Sequence, residues 1–452
     1  MRERCLATMN SLIAKQIATS TTSVQARHGA CPTTIAMKHL SVVMKTVCSW
    51  LRLPMAAIAS GLWLASAASA QQGTAQAASP PAAEASPIKV TPYGTLYFNL
   101  FDNSAGTNNA DVPLWSTPGT GNLSASARQT RLGLRVTGVT AAHAAVTAVV
   151  EADFFGGFPA VGIGDNMGVV RVRLANVRLD WQHTSLVIGQ DWMVFAPANP
   201  VSLAAAGIPL MAATGNPWAR LPQVRGEWHD RVVLLQGAVL APSTGDFTSS
   251  YLAQPASGAS SEMPFLQGRA ALVSSNWRGL KRPASIGVSG QYGRARIVST
   301  TTDRTLDARG VAVDWSVPIV SRVTLTGEAF TGRNLAAFQA GIFQGVNPDS
   351  TIANGGPGAI EARGGWTQVV ASVHARLSLQ ATYGLDDPRD DTLTSVSRRD
   401  WRLRNTATAI GFIHKLSPQL SWSLEDRRLV TQFAVTGRRT TNHINLATTF
   451  TF

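Results

Sequence analysis

The feature that most constrains this chain is an alternation of apolar and polar residues that recurs from Lys89 to the C-terminus. Stretches of about ten residues hold this period of two, which is the period of a β-strand, and no segment sustains the period of an amphipathic helix. In 376–385 the apolar side chains share one face: Leu377, Leu379, Ala381, Tyr383 and Leu385. The pattern predicts an all-β fold.

The alternation divides this part of the chain into sixteen strands, an even number. The predicted spans are 89–102, 127–138, 142–153, 168–181, 184–191, 219–229, 231–240, 265–278, 283–297, 305–318, 321–333, 363–374, 375–386, 401–416, 419–432 and 440–452. The ends of these spans are the least constrained part of the prediction.

The connections between the strands alternate between long and short. Tight turns are expected around Val139, Gln182, His229, Gly279, Ile319, His374 and Ser417. Long loops are expected over 103–126, 154–167, 192–218, 241–264, 298–304, 334–362, 387–400 and 433–439. One end of the sheet therefore carries long loops and the other end carries tight turns.

This sorting is typical of a transmembrane antiparallel β-barrel of the bacterial outer membrane, with long outer loops and short periplasmic turns. Hydrocarbon offers no hydrogen-bonding partner to peptide groups, so a sheet that spans a bilayer must close on itself. A barrel of about sixteen strands is too wide for side chains to fill and leaves an aqueous channel. Candidate residues for the aromatic girdles at the membrane interfaces are Tyr93, Trp181, Trp228, Trp277, Trp315, Trp401, Trp422 and Phe452.

One predicted strand changes phase. In 169–181, Arg171 and Arg173 have the same parity as the apolar residues Val177 and Leu179. A β-bulge near Ala175 would restore one polar and one apolar face, because a bulge inserts one extra residue into a strand. A misplaced strand boundary is the alternative.

The N-terminal part has the composition of an export signal. Residues 44–70 begin with Lys45 and Arg52, continue through an apolar run that is too short to span a bilayer, and end in Ala68-Ser69-Ala70. We therefore predict a signal peptide over 44–70, cleaved near Ala70. Residues 1–43 are predicted to be an upstream extension that is untranslated or disordered, and 71–88 a flexible periplasmic tether. The barrel is predicted over 89–452.

Composition fits an exported chain without disulfides. Residues 1–70 hold all three cysteines, seven of the 39 basic residues and one of the 26 acidic residues, which leaves a net charge of +7 downstream. Beyond the predicted cleavage site, lysine occurs only at 89, 281 and 415, so almost all the positive charge is arginine. Arginine keeps a permanent charge on a planar fork that matches carboxylates.

Strand parity predicts which charged side chains face the lumen. The predicted pore-lining or constriction residues are Arg131, Arg135, Glu151, Asp153, Arg171, Arg173, Gln223, Arg225, Glu227 and Arg269. Arginines on neighbouring strands beside acidic residues can set up a field across the narrowest part of a wide pore. The alternative for any one arginine is that it only neutralises an acid and keeps the wall polar.

The connection 192–218 is much longer than a hairpin requires. It contains Pro197, Pro200, Pro209 and Pro217 around a weakly apolar centre. Long loops in compact domains are usually functional or disordered. The Ala, Pro and Leu content favours a loop that folds inward against the wall, and a disordered loop is the alternative.

Common motifs of catalysis and cofactor binding are absent from the sequence. The chain contains no G-x-S-x-G elbow, H-E-x-x-H motif or P-loop, and its histidines have no metal-site spacing. We therefore predict a non-enzymatic protein without cofactor, metal or nucleic-acid partner. A barrel enzyme or adhesin with a plugged lumen is the alternative from another class.

Five motifs occur in an order that resembles the DcaP-type porins. They are R-L-G-L-R-V-T-G (131–138), E-A-D-F-F-G (151–156), R-V-R-L-A-N-V-R-L (171–179), G-Q-D-W-M-V-F-A-P (189–197) and R-L-P-Q-V-R (220–225). The resemblance implies an outer-membrane homotrimer that admits small anionic solutes such as dicarboxylates. It also implies that Arg131, Arg135, Arg171, Arg173 and Arg225 line an arginine-rich constriction. Residues 71–88 lack the coiled-coil segment that some members carry before the barrel.

The expected function is passive diffusion of small hydrophilic solutes through a water-filled channel, with a preference for anions. The expected surroundings are outer-membrane lipid outside the wall and anionic solutes inside it. A porin for neutral sugars or peptides would have the same fold and differ only in its lumen residues, so that alternative stays open.

Overall fold

A computed structural model of the chain describes residues 87–157, 168–243, 256–298, 303–348, 357–393 and 399–452. The predicted upstream extension, signal peptide and most of the tether lie outside these residues. Among the residues that are described, no helix is both long and apolar enough to cross a membrane.

Sixteen antiparallel strands form one closed barrel. They are β1 (Lys89–Thr107), β2 (two segments, Ser116–Ser126 and Arg131–Ala141), β3 (Ala144–Asp153), β4 (Arg171–Asp180), β5 (Thr184–Trp192), β6 (Arg220–His229), β7 (Val233–Leu240), β8 (Phe265–Ser274), β9 (Ala284–Val298), β10 (Asp303–Val320), β11 (Val323–Arg333), β12 (Glu361–His374), β13 (Leu377–Pro388), β14 (Arg402–Lys415), β15 (Leu420–Phe433) and β16 (Gly437–Thr451). The predicted fold class is confirmed.

Closure is made by the first and last strands. β16 pairs with β1 from Thr95 opposite Thr451 to Asn103 opposite His443. The pairing leaves the sheet without a free edge at this seam, as a wall in contact with hydrocarbon requires.

The prediction of a long loop over 103–126 was wrong. β1 continues to Thr107, and the segment Ser116–Ser126 pairs with it as the outer part of β2. The second segment, Arg131–Ala141, pairs with the inner end of β1, so both segments lie along the same neighbour. Most side chains of the outer segment are exposed, which explains why it is rich in Ser, Thr and Gly and lacks the alternation expected of a strand. The loop predicted over 298–304 also shrinks, since β9 ends at Val298 and β10 begins at Asp303.

The predicted bulge is present close to the expected place. β3 and β4 lose register where Glu151 and Ala152 lie opposite Leu174 and Val172, so Arg173 is the extra residue. The bulge puts Arg171, Arg173 and the later Asn176 and Arg178 on one face. Val177, in contrast, is 40% exposed on the outer face.

The two faces of the wall have the chemistry that a bilayer and an aqueous lumen require. Outward side chains are apolar and exposed, such as Leu132 and Leu134 at 44% and 47%. Inward side chains are mostly polar and buried by loops that enter the lumen. The prediction that Tyr93 belongs to an aromatic girdle was wrong. Tyr93 faces inward, where its ring lies 5.6 Å from the guanidinium carbon of Arg135. Trp228, by contrast, is 41% exposed on the outer face.

Candidate functional site

The long connection between β5 and β6 folds into the barrel. Most of residues 193–219, here called the inner loop, are buried. At its turn Gly215 has a φ of +104°, and a Cβ there would lie 2.1 Å from the carbonyl oxygen of Gly365 on the wall. Only glycine permits both the left-handed backbone and this close approach. Of the two alternatives for this connection, the inward-folding loop is confirmed and the disordered loop is not.

Wall side chains hold the first half of the inner loop by its backbone. Gln267 on β8 accepts the N–H groups of Val194 and Phe195 at 2.8 and 3.0 Å. Further wall acceptors follow around the barrel: Ser289 on β9 for Ala196, Glu328 on β11 for Ala198, and Gln368 on β12 for Val201. The loop therefore follows the inner wall.

Gln129, between the two segments of β2, holds the far side of the inner loop. Its Oε1 accepts the N–H groups of Ala206 and Gly207 at 2.7 and 2.8 Å, and its Nε2 donates to the carbonyl of Ala204 at 3.0 Å. Nearby, the hydroxyl of Ser202 donates to Glu425 on β15 at 2.6 Å. Since these contacts come from opposite parts of the wall, the inner loop forms a partial ring that narrows the lumen.

Two further segments pack on the inner loop. Residues 108–115 after β1 bring Val112 and Leu114 into one apolar cluster with Leu210 and Met211 of the inner loop and with Ile342. The segment 334–345 is held by Asp386 on β13, which accepts the N–H groups of Gly341 and Ile342 at 3.1 Å each. The lumen is thus narrowed by three segments.

The predicted cluster on β3 and β4 consists of paired charges. Arg171 donates to both carboxylate oxygens of Asp153, from Nε at 3.0 Å and from Nη2 at 2.6 Å. Arg173 donates to Glu151 at 2.7 Å and to Asp153 at 2.8 Å. The two arginines also donate to the inner-loop carbonyls of Gly207 and Ala206, at 2.6 and 3.4 Å. These charges are largely neutralised, and they fix the position of the loop.

The predicted residues on β6 and β8 are also engaged. Arg225 binds Asp191 at 2.9 Å and Glu227 at 2.8 Å. Arg269 grips Asp314 through Nε at 2.9 Å and Nη2 at 2.6 Å. Gln223 donates to the carbonyls of Asp191 and Trp192, at 2.9 Å each.

Sequence parity missed one arginine of this network. Arg178, on β4 after the bulge, bridges Asp180 at 2.7 Å and Glu227 at 2.8 Å. The bulge reverses which of the alternate residues along β4 face the lumen. Counting every second residue from Arg171 therefore puts Arg178 on the outer face. Applying the predicted bulge consistently would have recovered it.

Four inward arginines have no carboxylate within ion-pair distance in the described part of the chain, and each lies beside an aromatic ring. We call them the aromatic-backed arginines. Arg131 and Arg135 lie 5.6 Å from the rings of Tyr97 and Tyr93, respectively. The others, which parity did not select, are Arg402, 4.6 Å from Trp115, and Arg220, 4.6 Å from Trp192 and 5.0 Å from Trp218.

Strand register places several of these groups at one level of the wall. On β2, β3 and β4, Arg131 lies opposite Asp153, which lies opposite Arg171. On β5 and β6, Trp192 lies opposite Arg220. The pair Ala175–Gln190 connects the two sets, because Trp192 follows Gln190 by two residues along β5. The row crosses five consecutive strands, β2 to β6, at the level where the inner loop meets β4. Paired and unpaired arginines therefore face the same narrow section.

Within the described ranges, no group of three or more His, Cys, Asp or Glu side chains is arranged to hold a metal ion. No family model matches the chain, and no curated protein matches it.

Solved structures resemble it over most of its length. The outer membrane channel DcaP of Acinetobacter baumannii is 18% identical, with a TM-score of 0.62 over 81% of this chain and 97% of that one. The anion-selective porin from Comamonas acidovorans is 14% identical, with a TM-score of 0.53 over 81% of this chain and all of that one. The resemblance to DcaP-type porins is confirmed at the level of the fold.

Proposed function

We propose that this chain is an outer-membrane porin through which small hydrophilic solutes diffuse, with a preference for anions such as small carboxylates. The observation that carries the proposal is a closed barrel with a narrowed lumen, in which ion pairs cancel most of the inward charges. Arg131, Arg135, Arg220 and Arg402, in contrast, have no carboxylate within ion-pair distance among the described residues. Uncancelled arginines give a narrow passage a positive potential, which attracts anions and repels cations.

Further parts of the proposal rest on sequence and resemblance. A signal peptide cleaved near Ala70 would deliver the chain across the inner membrane. The exposed apolar outer face would contact outer-membrane lipid. The resemblance to DcaP-type porins implies a homotrimer, and it also implies that Arg131, Arg135, Arg171, Arg173 and Arg225 line an arginine-rich constriction.

The ion preference can be measured directly. Purified protein in a planar bilayer under a KCl gradient should give stable channels. Their reversal potential should be shifted from zero toward the equilibrium potential of chloride. A reversal potential shifted toward the equilibrium potential of potassium would contradict the anion preference. A value near zero would favour a channel for neutral sugars or peptides. The protein would require no cofactor for conduction.

A plugged barrel that acts as an enzyme or adhesin is the second candidate. The observation in its favour is that three loop segments enter the lumen and pack on one another. Such a barrel would insert into the bilayer but conduct poorly. Single-channel conductance at high salt therefore distinguishes it from a porin before any solute is identified.

Assembly gives a separate prediction at the C-terminus. Phe452 exchanges two backbone hydrogen bonds with Gly94, each 3.1 Å, and its ring stacks near that of Phe450. Deleting Phe452 should therefore lower the amount of heat-modifiable barrel in outer membranes, as judged by gel migration.

Val435→Ala, a change of an exposed residue in the last loop, is the control and should insert normally. Undiminished insertion of the variant that lacks Phe452 would show that the terminal residue is dispensable.

A further inference from the structure

Arg220 differs from the other arginines at its level of the barrel. Its Nε and Nη2 atoms are both enclosed by protein, and neither has a hydrogen-bond partner within the described ranges. No carboxylate of the described residues lies within ion-pair distance of it. The nearby charges of Arg173, Arg171 and Arg131 repel its own, while the more distant Asp153 attracts it. An enclosed charge without a partner is costly, so an anion that reached it would be bound favourably.

The two free atoms form one edge of the guanidinium, and the same chain shows what that edge binds. In Arg171 the Nε and Nη2 atoms grip both oxygens of Asp153 at 3.0 and 2.6 Å. In Arg269 the same pair grips Asp314 at 2.9 and 2.6 Å. The spacing of these two donors matches the two oxygens of a carboxylate. Among the described residues, no carboxylate occupies this fork on Arg220.

The surroundings of Arg220 indicate what the carboxylate would be attached to. The guanidinium carbon lies 4.6 Å from the Trp192 ring and 5.0 Å from the Trp218 ring, and the two rings are 6.1 Å apart at 55°. Trp218 belongs to an apolar cluster with Phe155 and Leu210, against which Trp192 also packs. Such walls favour an apolar body over a hydroxyl-rich one.

We propose that Arg220, with Trp192 and Trp218, is a binding site for a solute carboxylate carried on a compact apolar body. The carboxylate occupies the Nε/Nη2 fork, and the apolar body packs against the indoles. Since both fork atoms are enclosed, a side chain moves aside when the solute enters. This inference rests on the proposed porin function and adds a site of stated chemistry to it.

Two substitutions separate the effect of the positive charge of Arg220 from the effect of its two parallel hydrogen-bond donors. Arg220→Lys keeps the positive charge but lacks the two parallel donors, whereas Arg220→Gln removes the charge. In planar bilayers, benzoate should interrupt the chloride current of the wild-type channel, and neutral benzamide should not. Arg220→Lys should weaken benzoate block by about tenfold while leaving the reversal potential in KCl nearly unchanged. Arg220→Gln should weaken the block and also shift the reversal potential toward potassium.

The matched control is Arg296→Lys. Arg296 grips Asp303 through the same two atoms, at 2.9 and 2.6 Å, but on the exposed outer part of the barrel. That variant should retain wild-type block. Correct assembly of each variant is checked by heat-modifiable gel migration.

The outcomes separate this site from the general function. Undiminished benzoate block in Arg220→Lys would overturn the carboxylate site even if the channel prefers anions. Equal block by benzamide would show that the indoles alone bind the ring, and would overturn it as well. A wild-type channel that conducts but does not prefer chloride would instead contradict the proposed anion preference.

Discussion

Replacing residues 202–215 by a short Gly-Ser linker should raise the single-channel conductance by about twofold or more, because this segment narrows a lumen that sixteen strands leave wide. The segment contains the backbone groups held by Gln129, Arg171 and Arg173. Removing it leaves the wall strands paired as before. Conductance in symmetric KCl measures the effect, and ion preference should fall at the same time because ions then pass further from the arginines.

A gentler version of the same experiment uses Gln129→Leu. This change removes three hydrogen bonds to the inner loop and should weaken its docking by on the order of 2 kcal/mol or more. The Gln129→Leu channel should show more current noise and a higher mean conductance than the wild-type channel. Gln419→Leu, in an exposed turn, is the matched control. If the linker variant conducts like the wild type, the inner loop does not limit the pore.

The second large effect is expected on ion preference from Arg131→Gln combined with Arg135→Gln. Both side chains face inward and neither has an acid within ion-pair distance in the part of the chain described here. An anion about 4 Å from one guanidinium gains roughly 1–4 kcal/mol, depending on the local dielectric and before salt screening. The double variant should therefore move the reversal potential well toward potassium, most visibly at low salt.

The control removes a paired charge together with its partner. Arg269→Gln combined with Asp314→Asn abolishes a two-point ion pair without changing the net charge. Its reversal potential should stay close to that of the wild type. An unchanged ion preference in the Arg131 and Arg135 variant at low salt would mean that these arginines are only structural.

Arg171 is less suitable for this test than its sequence position indicates. It is paired with Asp153 and also donates to the carbonyl of Gly207 in the inner loop. Changing it would alter charge and loop position together. The structure therefore favours Arg135 over Arg171 as the partner of Arg131 in a test of selectivity.

The sequence determined the barrel because the period of two is local. Each residue of a strand that spans a membrane contacts either lipid or the lumen, so polarity alone reports its face. The same argument put Arg131, Glu151, Asp153 and Arg173 inside, and the bulge near Ala175 followed from a break in that pattern. Where both faces are exposed, as in Ser116–Ser126, the alternation vanishes, and polarity alone predicts a loop in place of a strand.

Only the tertiary structure decided which charges are free. Pairing depends on neighbours across strands and on the path of the inner loop, and neither is encoded in the spacing along one strand. The structure pairs Arg171, Arg173, Arg225 and Arg269 with acids, whereas Arg220 has no acid partner among the residues that the structure describes. By itself, therefore, the sequence determined the wall and predicts a positive lumen. The contacts between distant residues decided where along the lumen that charge can act on a solute.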